Sequence, residues 1–362
     1  MANIFETLNP GTDVTTTRTL LHEAIPLTGS IVSGTYTDKT TTGEENIKNY
    51  SHGMFQSVYD YPYLSSSANH IFDLTVGYSD NSDLSSSANV QNAKKINMYN
   101  ELALVCLGTD VTGAIEQFEN DLVIADDNNL MKEMFFVNFS RLLVKDSIKK
   151  GTFSLVIGTG SWSDPFGVPT SCQTITDSPS ASATQGTAEG QTGDWAPLYV
   201  TTPAYQTGSV GAIFYNLGIA ALTGAVFTSP PGQGNPINHE FLKNNGIHQG
   251  ISGTFTNVPI SAACDGFRHR IQNISFNNTT EINSAIYFCR APATKFNYSS
   301  NPTYTIGSKI RVKEEATSMP RAYVTTVGLY NASNELLAVA KLSEPLRKDP
   351  NNELTLRVRL DY

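Results

Sequence analysis

Charge is scarce in this chain. Asp, Glu, Lys and Arg make up 16% of its 362 residues, against about a quarter in an average soluble domain. The balance is −9, which argues against the basic surface of a nucleic-acid-coating protein and against an anionic membrane partner. There are only four cysteines, Cys106, Cys172, Cys264 and Cys289, and no CxxC pair. Zinc-ligand spacing is therefore missing. The scatter reads as thiols made in a reducing compartment, with a Cys264–Cys289 bridge as the alternative. The start, "MANIFETLNPGTDVTTT", has no basic n-region and no apolar h-region, so no signal peptide is expected. The longest apolar run, "SVGAIFYNLGIAALTGAVF", is interrupted by Gly211, Asn216, Gly218, Thr223 and Gly224 and has no basic flank. It reads as two core strands, "AIFYNLG" and "ALTGAVF", and not as a membrane span.

Thr, Ser, Asn and Gly fill the space that charge leaves. The expected fold is mainly β with a few helices (α+β), an antiparallel C-terminal sheet or meander ending in the terminal strand, and long irregular loops. Residues 1–55 read as an extended N-terminal arm with one or two strands, broken at Pro26. Residues 56–160 read as a mixed α/β region. Its best helix, near 91–107, puts Ala93, Ile96, Tyr99, Leu102, Ala103 and Cys106 on one face and stops at Gly108. "HIFDLTVGYS", "MFFVNFS" and "TFSLVIG" read as strands, and "KDSIKKG" as a helical turn closed by Gly151. Residues 161–207 form a Ser/Thr/Gly-rich loop or insertion, too long for an ordinary connection. Residues 208–362 form a β-rich domain in which "HRIQNISFNN" turns into "EINSAIYFCRA". "KIRVK", "RAYVTTVGLY", "ELLAVAKLSEP" and "ELTLRVRLDY" follow, with "NASN" as a hairpin connection.

The last strand alternates cleanly. Leu354, Leu356, Val358, Leu360 and Tyr362 share one face, and Thr355, Arg357, Arg359 and Asp361 share the other. This places the terminal residue in a packed sheet. Leu354, Leu356, Arg357, Arg359 and Tyr362 are accordingly candidate interface residues.

Constellations that would carry chemistry are thin. "GTGSWS" offers Gly158 and Gly160, but Pro165 and Pro169 prevent the helix that phosphate binding needs. His239-Glu240 resembles half of a zinc-protease helix, yet Lys243 stands where the second imidazole belongs. Cys264 lies near His269 in sequence, and a nucleophile pair would require the two to touch. No catalytic, metal-ligating or cofactor-binding residue is expected, and no cofactor. Tyr59, Tyr61 and Tyr63 could stack on sugars, and they are the second group of candidate interface residues.

Taken together, "NAKKINMYNELA", "NFSRLLVKDSIKKGTFSL", "ISFNNTTEINSAIYFCRA", "FNYSSNPTY" and "TTVGLYNASNELLAVAKLSEPLRKDPNNELTLRVRLDY" resemble a virion structural protein of large contractile-tailed phages, of the type found in myoviruses of marine cyanobacteria. The resemblance covers most of the chain from Tyr61 to Tyr362 and is strongest at its end. It implies a non-enzymatic structural subunit of a bacteriophage virion, in the tail or baseplate, assembled in the host bacterial cytoplasm. Its implied partners are other virion structural proteins and copies of itself, with no specific nucleic acid and no membrane insertion. A head, neck or collar component is one alternative. A glycan- or receptor-binding tail protein is another.

Overall fold

Strand β14 (Ile271–Ala291) is continuous for 21 residues, and the fold is organised along it. The expected turn between "HRIQNISFNN" and "EINSAIYFCRA" does not exist. The computed structural model describes residues 5–28, 46–119, 130–167, 172–177, 193–202, 209–228, 240–244, 247–299, 301–307, 309–311, 313, 315 and 317–362. The chain divides into two compact units. The smaller holds residues 1–21 and 281–362, and the larger holds 22–280. The divisions fall inside β1 (Val14–Thr28) and inside β14.

The larger unit contains β2 (Ile47–Asn49), β3 (Gln56–Tyr59), β4 (His70–Tyr78), β5 (Glu133–Phe139), β6 (Ser147–Ile148) and β7 (Ser154–Gly158). It continues with β8 (Cys172–Asp177), β9 (Trp195–Thr202), β10 (Gly211–Phe214), β11 (Ile219–Thr223), β12 (Leu242–Asn244) and β13 (Ile247–Gln249). The order across its main sheet is β1-β14-β7-β8-β9-β10-β11-β5-β4-β3-β2. The assigned ladders from β14 through β2 are antiparallel. Mainly β, with a large antiparallel sheet, is therefore the observed class.

Among the described residues four α-helices join the strands: α1 (Asn92–Cys106), α2 (Arg141–Val144), α3 (Ile251–Thr256) and α4 (Ile260–His269). Strand β5 shows how they are used. Phe135, Val137 and Phe139 join the cluster that holds Phe255, Ile260, Cys264 and Phe267 of α3 and α4. Met134 and Phe136 join a second cluster with Tyr99, Ala103 and Cys106 of α1. A strand buried on both faces reads as a nearly unbroken apolar run, and "EMFFVNF" is one. Phe135 stacks on Phe267, with ring centroids 4.7 Å apart. Helix α1 ends as expected. Gly108 takes φ 88°, and its amide donates to Leu104 O at 3.1 Å, which is a left-handed C-terminal cap.

Several expectations need correction. Pro26 does not break β1, which is the last strand in the order, the position where a sheet tolerates proline. Residues 145–151 form no helical turn. The turn is earlier, at α2, and Ser147–Ile148 pairs with β14. Residues 161–207 are not all loop, since β8 and β9 lie in the sheet. The low-complexity core of that stretch lies outside the described residues, as do His239 and Glu314. Only the first three residues of "AIFYNLG" are strand, in β10, and residues 215–218 form a turn; the start of "ALTGAVF" ends β11, and Gly224–Phe227 closes as a 3-10 turn. Among the described residues of "KIRVK", Lys309 and Ile310 are strand. Helices α3 and α4 stand in sequence read as irregular or β. Ala93 is exposed, and Lys95 takes its place on the buried face of α1. No helix among the described residues is long and apolar enough to cross a membrane.

The smaller unit contains β15 (Thr305–Ile306), β16 (Lys309–Ile310), β17 (Ala322–Tyr330), β18 (Leu336–Lys348) and β19 (Leu354–Asp361). Strands β17 and β18 form a two-stranded ribbon closed at the expected "NASN" turn, where Asn334 has φ 62°. The terminal strand lies in an antiparallel sheet, but its partner is not β18. It pairs with β14, from Ser284 opposite Asp361 to Ala291 opposite Leu354.

Candidate interaction surface

The two units differ sharply in how they are filled. The larger has the two apolar clusters just described. In the smaller, the buried apolar side chains are Ala285, Ile286, Ala322 and Val358. Among the described residues, most of the exposed large apolar side chains are also in this unit, although it is the smaller one.

The exposure concentrates on the β17–β18 ribbon. Leu337 is 68% exposed, and Tyr323, Tyr330, Leu336, Val339 and Leu346 are exposed as well. The ladder slips by one residue between Leu329 and Tyr330, so Tyr330 faces Leu336 while Leu329 faces Ala338. Leu337 is the extra residue of this bulge. Gly328 makes the local packing possible. A Cβ there would stand 2.9 Å from the Tyr330 ring and 3.2 Å from Leu336. The Phe5 ring packs edge-on against Tyr330, with centroids 4.9 Å apart. The tip of the ribbon is thus a patch of Phe5, Tyr330, Leu336, Leu337 and Val339. The sequence pattern predicts sheet strands at these residues and gives no patch. The signal available was the run "LLAV" beside a two-residue-period strand.

The terminal strand shows the expected alternation, but not the expected depth. Leu354, Leu356 and Leu360 are half-buried, Val358 is buried, and Arg357 and Arg359 are exposed. Tyr362 is 74% exposed, so the last side chain is not core. Its backbone is fixed all the same, because Tyr362 N and O bond to Asn283 O and N. Arg359 Nε donates to Asp361 Oδ1 at 2.7 Å, and Ser284 Oγ donates to the same oxygen at 2.6 Å. The Ser284 hydroxyl, and then Arg359, hold the Asp361 carboxyl below the usual carboxylate range. Among the described residues β19 has no second strand partner.

Tyr59, Tyr61 and Tyr63 belong to the larger unit. Tyr59 and Tyr63 come together, with centroids 6.1 Å apart, and His70 lies 5.5 Å from Tyr59. Tyr61 is exposed on the loop beyond β3. A second aromatic group, unforeseen from sequence, adjoins β2 and β3. Tyr50 stacks on His52 at 5.1 Å, Phe55 touches both, and Lys48 lies 4.7 Å over Tyr50.

The residues that might have carried chemistry are engaged otherwise. Cys264 is fully buried, and its thiol donates to Leu74 O at 3.4 Å. Burial pushes that thiol up. His269 Nε2 donates to Trp162 O at 2.7 Å. Gly158 and Gly160 serve Arg270, whose buried guanidinium donates to their carbonyls and to those of Phe241 and Glu240. Desolvation lowers Arg270 to about 10. A Cβ at either glycine would fall within 2.6 Å of Pro165 O or closer neighbours. The four cysteines are all free thiols, and no metal-holding group of His, Cys, Asp or Glu occurs among the described residues.

Lys95 is the least expected buried group. Its ammonium donates to Phe255 O at 2.6 Å and Val258 O at 2.7 Å, so it ties α1 to the α3–α4 connection. Desolvation lowers it from its ordinary value to about 8. A lysine whose folded pKa is depressed makes the chain more stable as pH rises from about 8 to its unfolded value. The stability of wild type relative to Lys95→Met should therefore grow across pH 8–10.5. The change should be on the order of 1–3 kcal/mol after allowance for partial screening. Urea unfolding of both proteins at several pH values measures it, and parallel profiles would contradict it.

Comparison with family models, with curated proteins and with solved structures gives no match.

Proposed function

We propose that this chain is a structural subunit of a contractile-tailed bacteriophage virion, placed in the tail or baseplate, and that it acts by packing on neighbouring subunits. The observation that carries the reading is the smaller unit. A segment of about a hundred residues normally buries a substantial core, yet this one holds four buried apolar side chains among its described residues and exposes an apolar ribbon. An isolated two-stranded ribbon is marginally stable in water. Exposed apolar surface of this kind marks interaction sites in soluble proteins. A subunit whose covering surface comes from other chains needs no larger core of its own. The stretches that resemble virion structural proteins support a role in assembly, and the terminal strand, whose second edge pairs with no strand among the described residues, offers a second contact.

Separation of purified virions into tails and heads, with this chain counted by mass spectrometry in each fraction, tests the proposal. The expected outcome is enrichment with tails.

A further inference from the structure

Lys348 ends β18 and stands opposite Ala322 at the base of the ribbon. It is fully buried. A buried lysine normally has a carboxylate beside it. The ion pairs described in the smaller unit use Arg18, Arg290, Lys295, Arg347 and Arg359 instead. Lys348 Nζ donates only to uncharged acceptors: Asn297 Oδ1 at 2.7 Å, Asp349 O at 2.9 Å and Ala293 O at 3.4 Å.

The Asn297 amide is held from both ends. Its Oδ1 accepts from Lys348, and its Nδ2 donates to Ala293 O at 2.7 Å. The turn that presents it is strained. Phe296, the residue before it, takes φ 59°, a left-handed conformation that a bulky side chain rarely adopts. Strain of this kind collects at functional positions. An amine in hydrogen-bond contact with an amide oxygen stands about 3–3.5 Å from the amide carbon, which is the range of a near-attack arrangement. Rotation of the Asn297 amide turns the face of Cγ toward Nζ. A carboxylate adjoins the cluster, because the Ala293 amide donates to Glu353 Oε1 at 3.5 Å. A buried amine, a primary amide in contact with it and a neighbouring carboxylate are the parts from which an amide bond between two side chains is made.

We propose that Lys348 and Asn297 join in an intramolecular isopeptide bond. The Nζ lone pair forms a bond to Asn297 Cγ, and the Cγ–Nδ2 bond breaks. Nδ2 leaves as ammonia and takes one of the protons of Nζ. The second proton that Nζ gives up passes to the Glu353 carboxylate and on to solvent. The products are a secondary amide and an ammonium ion, so charge and atoms balance, and neither oxidant nor reductant takes part. The reaction also replaces a buried charge by a neutral group, which removes a desolvation cost. The link closes a loop from residue 297 to residue 348 that contains β15, β16, β17 and β18. Closing a loop covalently restricts the unfolded chain, and this unit has few buried apolar side chains to hold it otherwise. The inference concerns the unit itself and does not depend on what the unit packs against.

Mass spectrometry of the purified full chain under denaturing conditions tests it. Wild type should be lighter than its sequence by one ammonia. Its tryptic digest should contain a branched peptide in which the segment holding Asn297 is joined to Lys348. Lys348→Arg and Asn297→Ala should each keep the mass of their sequence and yield linear peptides alone. Glu353→Gln should leave a large unlinked fraction under conditions in which wild type is fully linked. A wild-type chain of full sequence mass, with Asn297 and Lys348 in separate peptides, overturns the proposal, because a lysine that is only hydrogen-bonded changes no mass. An ammonia lost from Lys348→Arg as well as from wild type places the loss elsewhere and overturns it too. A Glu353→Gln chain linked as completely as wild type overturns the part given to Glu353.

Discussion

Removal of Leu354–Tyr362 is expected to unfold the smaller unit and leave the larger one folded. Strand β19 supplies the antiparallel ladder along one edge of β14 from Ser284 to Ala291. Each ladder bond contributes about 0.5–1.5 kcal/mol net. Loss of β19 also uncovers Ile286 and removes Val358, two of the few buried apolar side chains this unit has. The summed loss is of the order of a domain's whole net stability. Limited proteolysis should cut the truncated chain within residues 281–353 at protease levels that leave wild type intact, while the larger unit survives as a resistant fragment. Equal resistance of both proteins would show that β19 is dispensable. The motive differs from that suggested by the sequence. Five in-phase apolar residues pointed to a deeply buried strand, but only Val358 is buried and Tyr362 is largely exposed. The backbone ladder carries the effect.

The second large effect concerns the larger unit. Arg268 and Asp265 are both buried on α4, with Arg268 NH2 2.7 Å from Asp265 Oδ1. Gln56 of β3 joins them. Its Oε1 accepts from Arg268 Nε at 2.6 Å, and its Nε2 donates to Asp265 Oδ1 at 2.8 Å. Arg268→Met leaves the Asp265 carboxylate buried beside a neutral amide, which typically costs about 3–5 kcal/mol. The double variant R268M/D265N should recover much of that, because the uncompensated charge is then absent. Urea midpoints of the larger unit measure both. A loss below about 1 kcal/mol for the single variant would mean that water reaches the site.

Local pattern was readable where a residue's own neighbours in sequence decide its state. The α1 stop at Gly108, the alternation of β19 and the "NASN" turn are of this kind. The continuous run of β14 was not readable, because Asn277, Asn278, Thr279 and Thr280 have the composition of a turn. Their polar side chains are used sideways instead. Asn278 donates to Leu143 O and accepts from the Glu23 amide, and Thr279 Oγ1 bonds to His22 Nδ1. Helices α3 and α4 carry Gly, Thr and Ser, which are weak helix formers. Their stability comes from packing Phe255, Ile260 and Phe267 on β4 and β5, a long-range fact. The partner of β19 is long-range in the same sense, since any antiparallel strand matches an alternating sequence. The interface candidates divide likewise. Arg357 and Arg359 lie on the exposed face of the terminal strand, as alternation predicts, whereas Tyr362 is exposed against it. The apolar tip of the ribbon was hidden, because "LLAV" reads as core until the exposure of Leu336, Leu337 and Val339 is seen.

The central claim is that the sparse smaller unit exists to be completed by other chains of a virion. A count of this chain in separated tails and heads from one virion preparation tests it most directly. A fixed whole-number copy per tail, retained through washing at high salt, is the predicted result. A chain left in the lysate and absent from intact virions would contradict the account.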